Sequence, residues 1–255
     1  MITQGLFASF IPTLVGCDSA DFDGSNDYMT RGAGLTGIAD SKSGIFSVWL
    51  RIDAGDGTLR AIFNLVTTLG GGTGRCNALV HTTNTLRMFA QNSAGSNILV
   101  LASNTTYAAS ATWLHFLTSW DLAAAAGHLY VNDSSDLAAG PTLTNDTIDY
   151  TVADAGVGAL PDGTAKIDAP YAELYFAPGQ YLDFSDSANR RNFITAAGKP
   201  VFLGVDGKLP TGTAPLVYFH TGLDVAASTF ANNFGTGGNF SITGTLTTGS
   251  TSPSD

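Results

Sequence analysis

The sequence predicts an all-β protein, a sandwich of two antiparallel sheets with one short helix near 186–197. Three observations predict it. Apolar residues alternate with period two in run after run. Turn-forming clusters separate these runs at short spacing, and Gly is abundant at 30 of 255 residues. All 21 acidic residues except Glu173 are Asp, a residue poor in helix interiors and good in turns.

Taken in order, residues 1–17 form an apolar arm carrying Leu6, Phe7, Phe10, Ile11, Leu14 and Val15. The span is too short for a core of its own, so the arm is expected to dock on a neighbouring subunit. Leu14-Val15-Gly16-Cys17 matches a bacterial lipobox, but a secretory leader needs a positive n-region and the first basic residue is Arg31. Asp21-Phe22-Asp23-Gly24-Ser25-Asn26-Asp27-Tyr28 reads as strand, tight turn and strand. In 45–52, Phe46, Val48, Leu50 and Ile52 share one face, while Ser47, Trp49 and Arg51 share the other. Further strands are expected at 61–66, 76–81, 85–90, 97–102, 113–120, 128–132, 147–152, 171–176, 201–204, 215–220 and 239–246. Turns lie between them at Gly70–Gly74, Asn92–Gly95 and Pro161–Gly163. The helix is capped by Ser185 or Asp186, carried by 188–197 and stopped by Gly198 and Pro200. Residues 178–238 read as an elaboration of the sandwich, and 239–244 as a final strand returning beside the first. The polar tail, 247–255, has no apolar content to order it alone. The sandwich proper is 18–246.

Composition excludes several functions. Charged residues are 13% against a usual share of about 25%, and the net charge is −10. An acidic chain without clustered Lys and Arg does not suit nucleic acid, and Arg190-Arg191 reads as a solvated helix face. No apolar run is long enough to span a membrane. Cys17 and Cys76 are too few for a disulfide framework, so both are expected as free, buried thiols.

Several segments resemble one family in the right order. Asp21 to Tyr28 resembles the opening strand of the concanavalin A-like, laminin-G-like jelly rolls, and Gly44-Ile45-Phe46-Ser47-Val48-Trp49-Leu50-Arg51 their central strand. Trp113-Leu114-His115-Phe116, Ser119-Trp120-Asp121 and Gly127-His128-Leu129-Tyr130-Val131-Asn132 resemble their hairpin. Lys166-Ile167-Asp168 with Ala172-Glu173-Leu174-Tyr175-Phe176 resembles a late strand. The resemblance spans roughly residues 18–178 and implies a concanavalin A-like jelly roll, a fold with many unrelated functions.

Candidate chemistry is sparse. The glucanases of this fold place acids at alternate strand positions, whereas Glu173 has no acidic partner at either spacing. It is expected to orient a loop or pair with a basic neighbour. Gly32 to Gly37 matches G-x-G-x-x-G but opens no helix, so it is a loop. His81, His115, His128 and His220 lie in strands without metal spacing and read as structural, and there is no G-x-S-x-G elbow. Asp21, Asp23, Asn26 and Asp27 offer oxygens to calcium, as loops of laminin-G-like and pentraxin-like proteins do, but in a tight turn they are expected to serve the backbone. Trp49, Trp113 and Trp120 are expected in the core rather than as a sugar platform. No catalytic, cofactor or metal residue is named, and no cofactor is expected.

A second resemblance concerns 172–219. Tyr181-Leu182-Asp183, Asn189-Arg190-Arg191-Asn192-Phe193-Ile194, Gly198-Lys199-Pro200-Val201, Pro210-Thr211-Gly212 and Pro215-Leu216-Val217-Tyr218-Phe219 resemble laminin-G-like proteins of phage and prophage structural regions. It implies a non-enzymatic structural protein of a virus particle, a tailed-bacteriophage capsid-decoration or tail and fibre component. Its partners are then copies of itself and other virion proteins, with host-surface glycan as a further contact. The alternative is a carbohydrate-binding or adhesion module of a bacterial surface protein.

Overall fold

The protein was analysed as a computed structural model that describes residues 19–66, 76–221 and 226–255. The apolar arm and Cys17 lie outside the described residues, as does the glycine cluster 70–74. Strands are numbered along the chain. The first sheet runs β10 (Ser134–Ser135), β9 (Ala126–Val131), β8 (Leu114–Asp121), β3 (Ser43–Leu50), β13 (Asp168–Pro178), β1 (Ala20–Asp23) and β16 (Thr247–Thr248), with β14 (Val217–Phe219) also paired to β13. The second runs β11 (Thr142–Leu143), β7 (Asn97–Ala102), β6 (Leu86–Gln91), β5 (Cys76–Val80), β4 (Arg60–Val66), β12 (Asp154–Val157), β2 (Tyr28–Arg31) and β15 (Ser241–Thr243). The pairings are antiparallel, as in a jelly-roll sandwich.

The turn after β1 passes the chain from one sheet to the other. Gly24 takes φ +67°, and a Cβ there would stand 2.8 Å from Asp168 Cβ, so both the backbone conformation and the space require glycine. Between the sheets, Phe46, Phe63 and Phe176 pack in a chain, with ring centroids 6.0 Å and 4.8 Å apart. Trp120 donates its indole N–H to the buried Tyr150 hydroxyl at 3.0 Å, and that hydroxyl donates to Ser43 O at 3.0 Å.

The first sheet is covered on both faces. Phe46, Val48 and Leu50 of β3 face the inter-sheet core, as the alternation predicts. Ile45 faces a second cluster with Leu117, Tyr175, Phe184, Phe193 and Tyr218. The elaboration 178–238 supplies most of that cover. Burial on both faces is seen along almost the whole length of β3, β8 and β13. The second sheet keeps polar and half-buried side chains on its outer face along β5, β6 and β7.

Several expectations need correction. The helix spans only Ser187–Arg190, capped by Asp186 through Ala188 N at 2.8 Å. The following turn tightens as Phe193 N bonds to Arg190 O, because Phe193 and Ile194 must turn into the sandwich. Arg190 and Arg191 are not a solvated face: both grip Asp133 at 2.6 Å, and Arg190 lies 4.4 Å over the Tyr130 ring. They tie the elaboration to the turn after β9. The run 147–152 is no strand, since Tyr150 N and Thr151 N bond the Asp40 carboxylate and Tyr150 is a core wedge. Residues 201–204 form no strand either. The chain's last segments pair differently from expectation: β15 lies beside β2, and β16 lies beside β1. Cys76 is a buried free thiol, and burial raises its pKa.

Candidate functional site

Two of the concave regions among the described residues are lined by aromatic side chains. The first is a cleft of about 450 Å³ between Trp49, Trp113, Asn132, Lys199 and the chain's last residues. Its polar groups are already satisfied. Thr251 Oγ1 accepts from Trp113 Nε1 at 3.1 Å and from Arg51 Nη1 at 2.7 Å. Asn132 accepts from His115 N at 2.7 Å. Trp49 lies flat on the His115 imidazole, with centroids 4.6 Å apart. Thr251, Ser252, Pro253 and Asp255 thus form one wall of the cleft.

The second is a groove of about 350 Å³ on the outer face of β5, β6 and β7. Alternation builds it. Cys76, Ala78 and Val80 of β5 point inward, which turns Asn77 and Leu79 outward. Leu86, Met88 and Ala90 of β6 likewise turn Arg87 and Phe89 outward. Register sets Asn77 opposite Phe89, Leu79 opposite Arg87, and Phe89 opposite Val100. Leu79, Phe89 and Val100 give an apolar floor, and His81, Arg87, Asn77 and Asn97 give polar walls.

The groove's polar groups differ in how they are engaged. Asn77 is only 4% exposed, and its Oδ1 has no hydrogen-bond partner. A buried acceptor left unmade costs about 1–3 kcal/mol. His81 Nδ1 accepts from Thr83 N, which leaves the proton of the neutral ring on Nε2. Burial, together with the charge of Arg87, lowers the His81 pKa and keeps it neutral at pH 7. Asn97 accepts from Gln91 Nε2 at 2.8 Å.

The other candidate side chains serve structure. Ser47 Oγ lies 2.9 Å from His115 Nε2, the spacing of a nucleophile and its base, yet both are buried and His115 Nδ1 has no partner. Burial lowers the His115 pKa to about 3. His128 bonds the Tyr181 hydroxyl at 3.0 Å, and His220 stacks on Tyr218. Glu173 is buried at φ +51° in a bulge of β13 and accepts from the Tyr218 hydroxyl at 2.8 Å. Asp23 Oδ1 accepts from Ser25, Asn26 and Asp27 N–H. Burial pushes its pKa up, but these main-chain donors outweigh it and hold the carboxyl low. Asp27 accepts from Thr245 N at 2.7 Å. Asp23 and Asp27 serve the backbone, as the turn reading expects, whereas Asp21 Oδ1 is buried without a hydrogen-bond partner. Among the described residues no three His, Cys, Asp or Glu are placed to hold a metal ion, and no helix is long and apolar enough to cross a membrane. The 32–37 loop is pinned by Gly34 N to Ala153 O and Thr36 N to Gly237 O. Trp120 and Trp49 are buried, and Trp113 is half-buried at the cleft.

Sequence reasoning named none of Asn77, Arg87, Phe89 or Asn97 as site residues, and it took His81 as structural. The available signal was the polar outer face of two adjacent strands, Asn77 with His81 and Arg87 with Gln91. Their juxtaposition depends on register.

No family model and no curated protein matches the chain. Among solved structures it is similar to a Bacteroides ovatus protein provisionally designated carbohydrate binding, at 13% identity and a TM-score of 0.55. The match covers 92% of this chain and 60% of that one. It also matches domains LG4–5 of the mouse laminin α1 chain at 14% identity and a TM-score of 0.46, over 73% of this chain and 48% of that one. A heptameric SAP-like pentraxin from Limulus polyphemus matches at 14% identity and a TM-score of 0.47, over 66% of this chain and 78% of that one. Identities this low establish the fold alone. The anticipated virus-particle setting, with its bacteriophage, homo-oligomer and virion partners, draws no support from these relatives. The Bacteroides ovatus likeness agrees with the jelly-roll sandwich.

Proposed function

We propose that the protein is a non-enzymatic carbohydrate-recognition or adhesion module whose glycan lies in the groove over β5, β6 and β7. One observation carries this reading: Asn77, whose buried Oδ1 has no hydrogen-bond partner, is among the residues lining an open groove whose floor is apolar and whose walls are amide, imidazole and guanidinium. A sugar ring presents an apolar C–H face and a rim of hydroxyls, and such a groove meets both. The Bacteroides ovatus relative's designation agrees, although that likeness concerns fold. The absence of catalysis is supported by Glu173 and the Ser47–His115 pair being buried away from the groove.

The test is glycan-array binding with Asn77→Leu. That change removes the only buried acceptor without a partner among the groove's described side chains. It is expected to abolish glycan binding while leaving stability equal or higher by about 1 kcal/mol. Binding that survives the substitution, or glycan release by the wild type above background, contradicts the proposal.

A further inference from the structure

Six arginines lie among the described residues, and five are held by carboxylates or main-chain carbonyls. Arg31 donates to Gly34 O, and Arg60 donates to Ala54 O. Arg51 pairs with Asp53, and Arg190 and Arg191 pair with Asp133. Arg87 differs. Its Nε donates to Thr85 Oγ1 at 3.2 Å, and its two terminal nitrogens reach no carboxylate or main-chain carbonyl of a described residue. This occurs in a chain with 21 acidic and 11 basic residues. The strands around it explain how: β5, β6 and β7 contain no Asp or Glu. Arg87 is thus the one charged side chain among the described residues that line the groove.

Resting on the carbohydrate reading above, we propose that the groove selects an acidic sugar, its carboxylate taken by the paired terminal nitrogens of Arg87 and a ring hydroxyl bonded by the Asn77 side-chain amide. The register supports one ring bridging both. Asn77 stands opposite Phe89, two residues beyond Arg87, and such diagonal neighbours lie about 7–8 Å apart. A planar guanidinium with two parallel free donors matches a carboxylate better than a hydroxyl. A neutral sugar would cover Arg87 and leave those donors unpaired, which disfavours it.

The experiment titrates the ¹⁵N-labelled full chain with uronic-acid oligosaccharides, with their carboxyl-reduced neutral counterparts, and with sulfated neutral oligosaccharides. Acidic forms are expected to shift the amides of 77–81 and 86–90 and to bind at least about tenfold more tightly than the reduced forms. Arg87→Gln is expected to erase that difference, and Arg87→Lys to recover part of it, with unfolding midpoints unchanged. Equal binding of acidic and reduced forms, or preference for the sulfated forms alone, overturns the acidic-sugar inference and leaves the carbohydrate reading standing. No shift at the groove with any of the three overturns both.

Discussion

His115 shows how a reactive pair becomes a structural one. It lies on β8 directly across from Trp49 of β3, stacked on that indole and bonded to Ser47, and is only 1% exposed. Burial lowers its pKa to about 3 from an ordinary 6.5. The unfolded chain therefore binds a proton between those values that the folded protein refuses. His115 contributes stability that is complete above pH 6.5 and is lost as pH falls toward 3, at up to about 1.4 kcal/mol per pH unit. Asp21 and Asp168 act in the opposite direction: burial and neighbouring acids raise their pKa values, so their contribution grows as pH falls. The histidine is isolated by comparison with His115→Gln, which can keep the Ser47 bond. Urea midpoints measured from pH 7 to pH 4 are expected to fall more steeply for the wild type by about one proton. Parallel slopes would show that His115 is not the acid-sensitive group.

At the scale of elements, the chain's last residues act as a strap on their own sandwich. Gly249 N bonds Ser19 O at 2.8 Å, and Ser19 Oγ donates to Thr251 O at 2.7 Å. Thr251 Oγ1 then joins Arg51 to Trp113, and Lys199 donates to Asp255 O. Composition alone reads this segment as a polar tail, because its order comes from partners far away in sequence. Deleting 249–255 removes these bonds at about 0.5–1.5 kcal/mol each and uncovers the Trp49–Trp113 cleft. The variant is expected to fold, to unfold at lower denaturant by roughly 2–4 kcal/mol, and to show red-shifted tryptophan emission. Unchanged emission and midpoint would mean that the strap does not seat. The same contrast decides what was legible elsewhere. Strands β3 to β9 and β13 announce themselves because alternation and turn clusters are local. Strand β12 was missed because Asp154–Val157 is short and carries a Gly, whereas Tyr150 nearby mimics a strand residue while serving as a core wedge. The groove was illegible because 77, 87 and 97 converge only through register. Arg190-Arg191 was misread because Asp133 lies 57 residues away.

At the scale of the whole molecule, two hydrophobic clusters share strands. Phe176 of β13 points into the inter-sheet core, and its neighbour Tyr175 points into the cluster under the elaboration. Ile45 and Phe46 of β3, and Phe116 and Leu117 of β8, divide in the same way. Neither cluster can lose its packing without exposing strands that carry the other. The elaboration adds its own anchors, Asp133 with Arg190 and Arg191 and the pairing of β14 to β13. A segment of 178–238 alone would hold Phe184, Phe193, Leu203 and Tyr218 without the sheet they pack on, too small a core to offset its chain entropy. The described molecule is therefore expected to unfold in one cooperative step. Far-UV circular dichroism reports both sheets, whereas the fluorescence of Trp113 and Trp49 reports the region under the elaboration and tail. The two urea transitions are expected to coincide, and a fragment of 178–238 is expected to show no cooperative transition. A fluorescence change well below the circular dichroism midpoint would show instead that the elaboration and the sandwich melt as separate units.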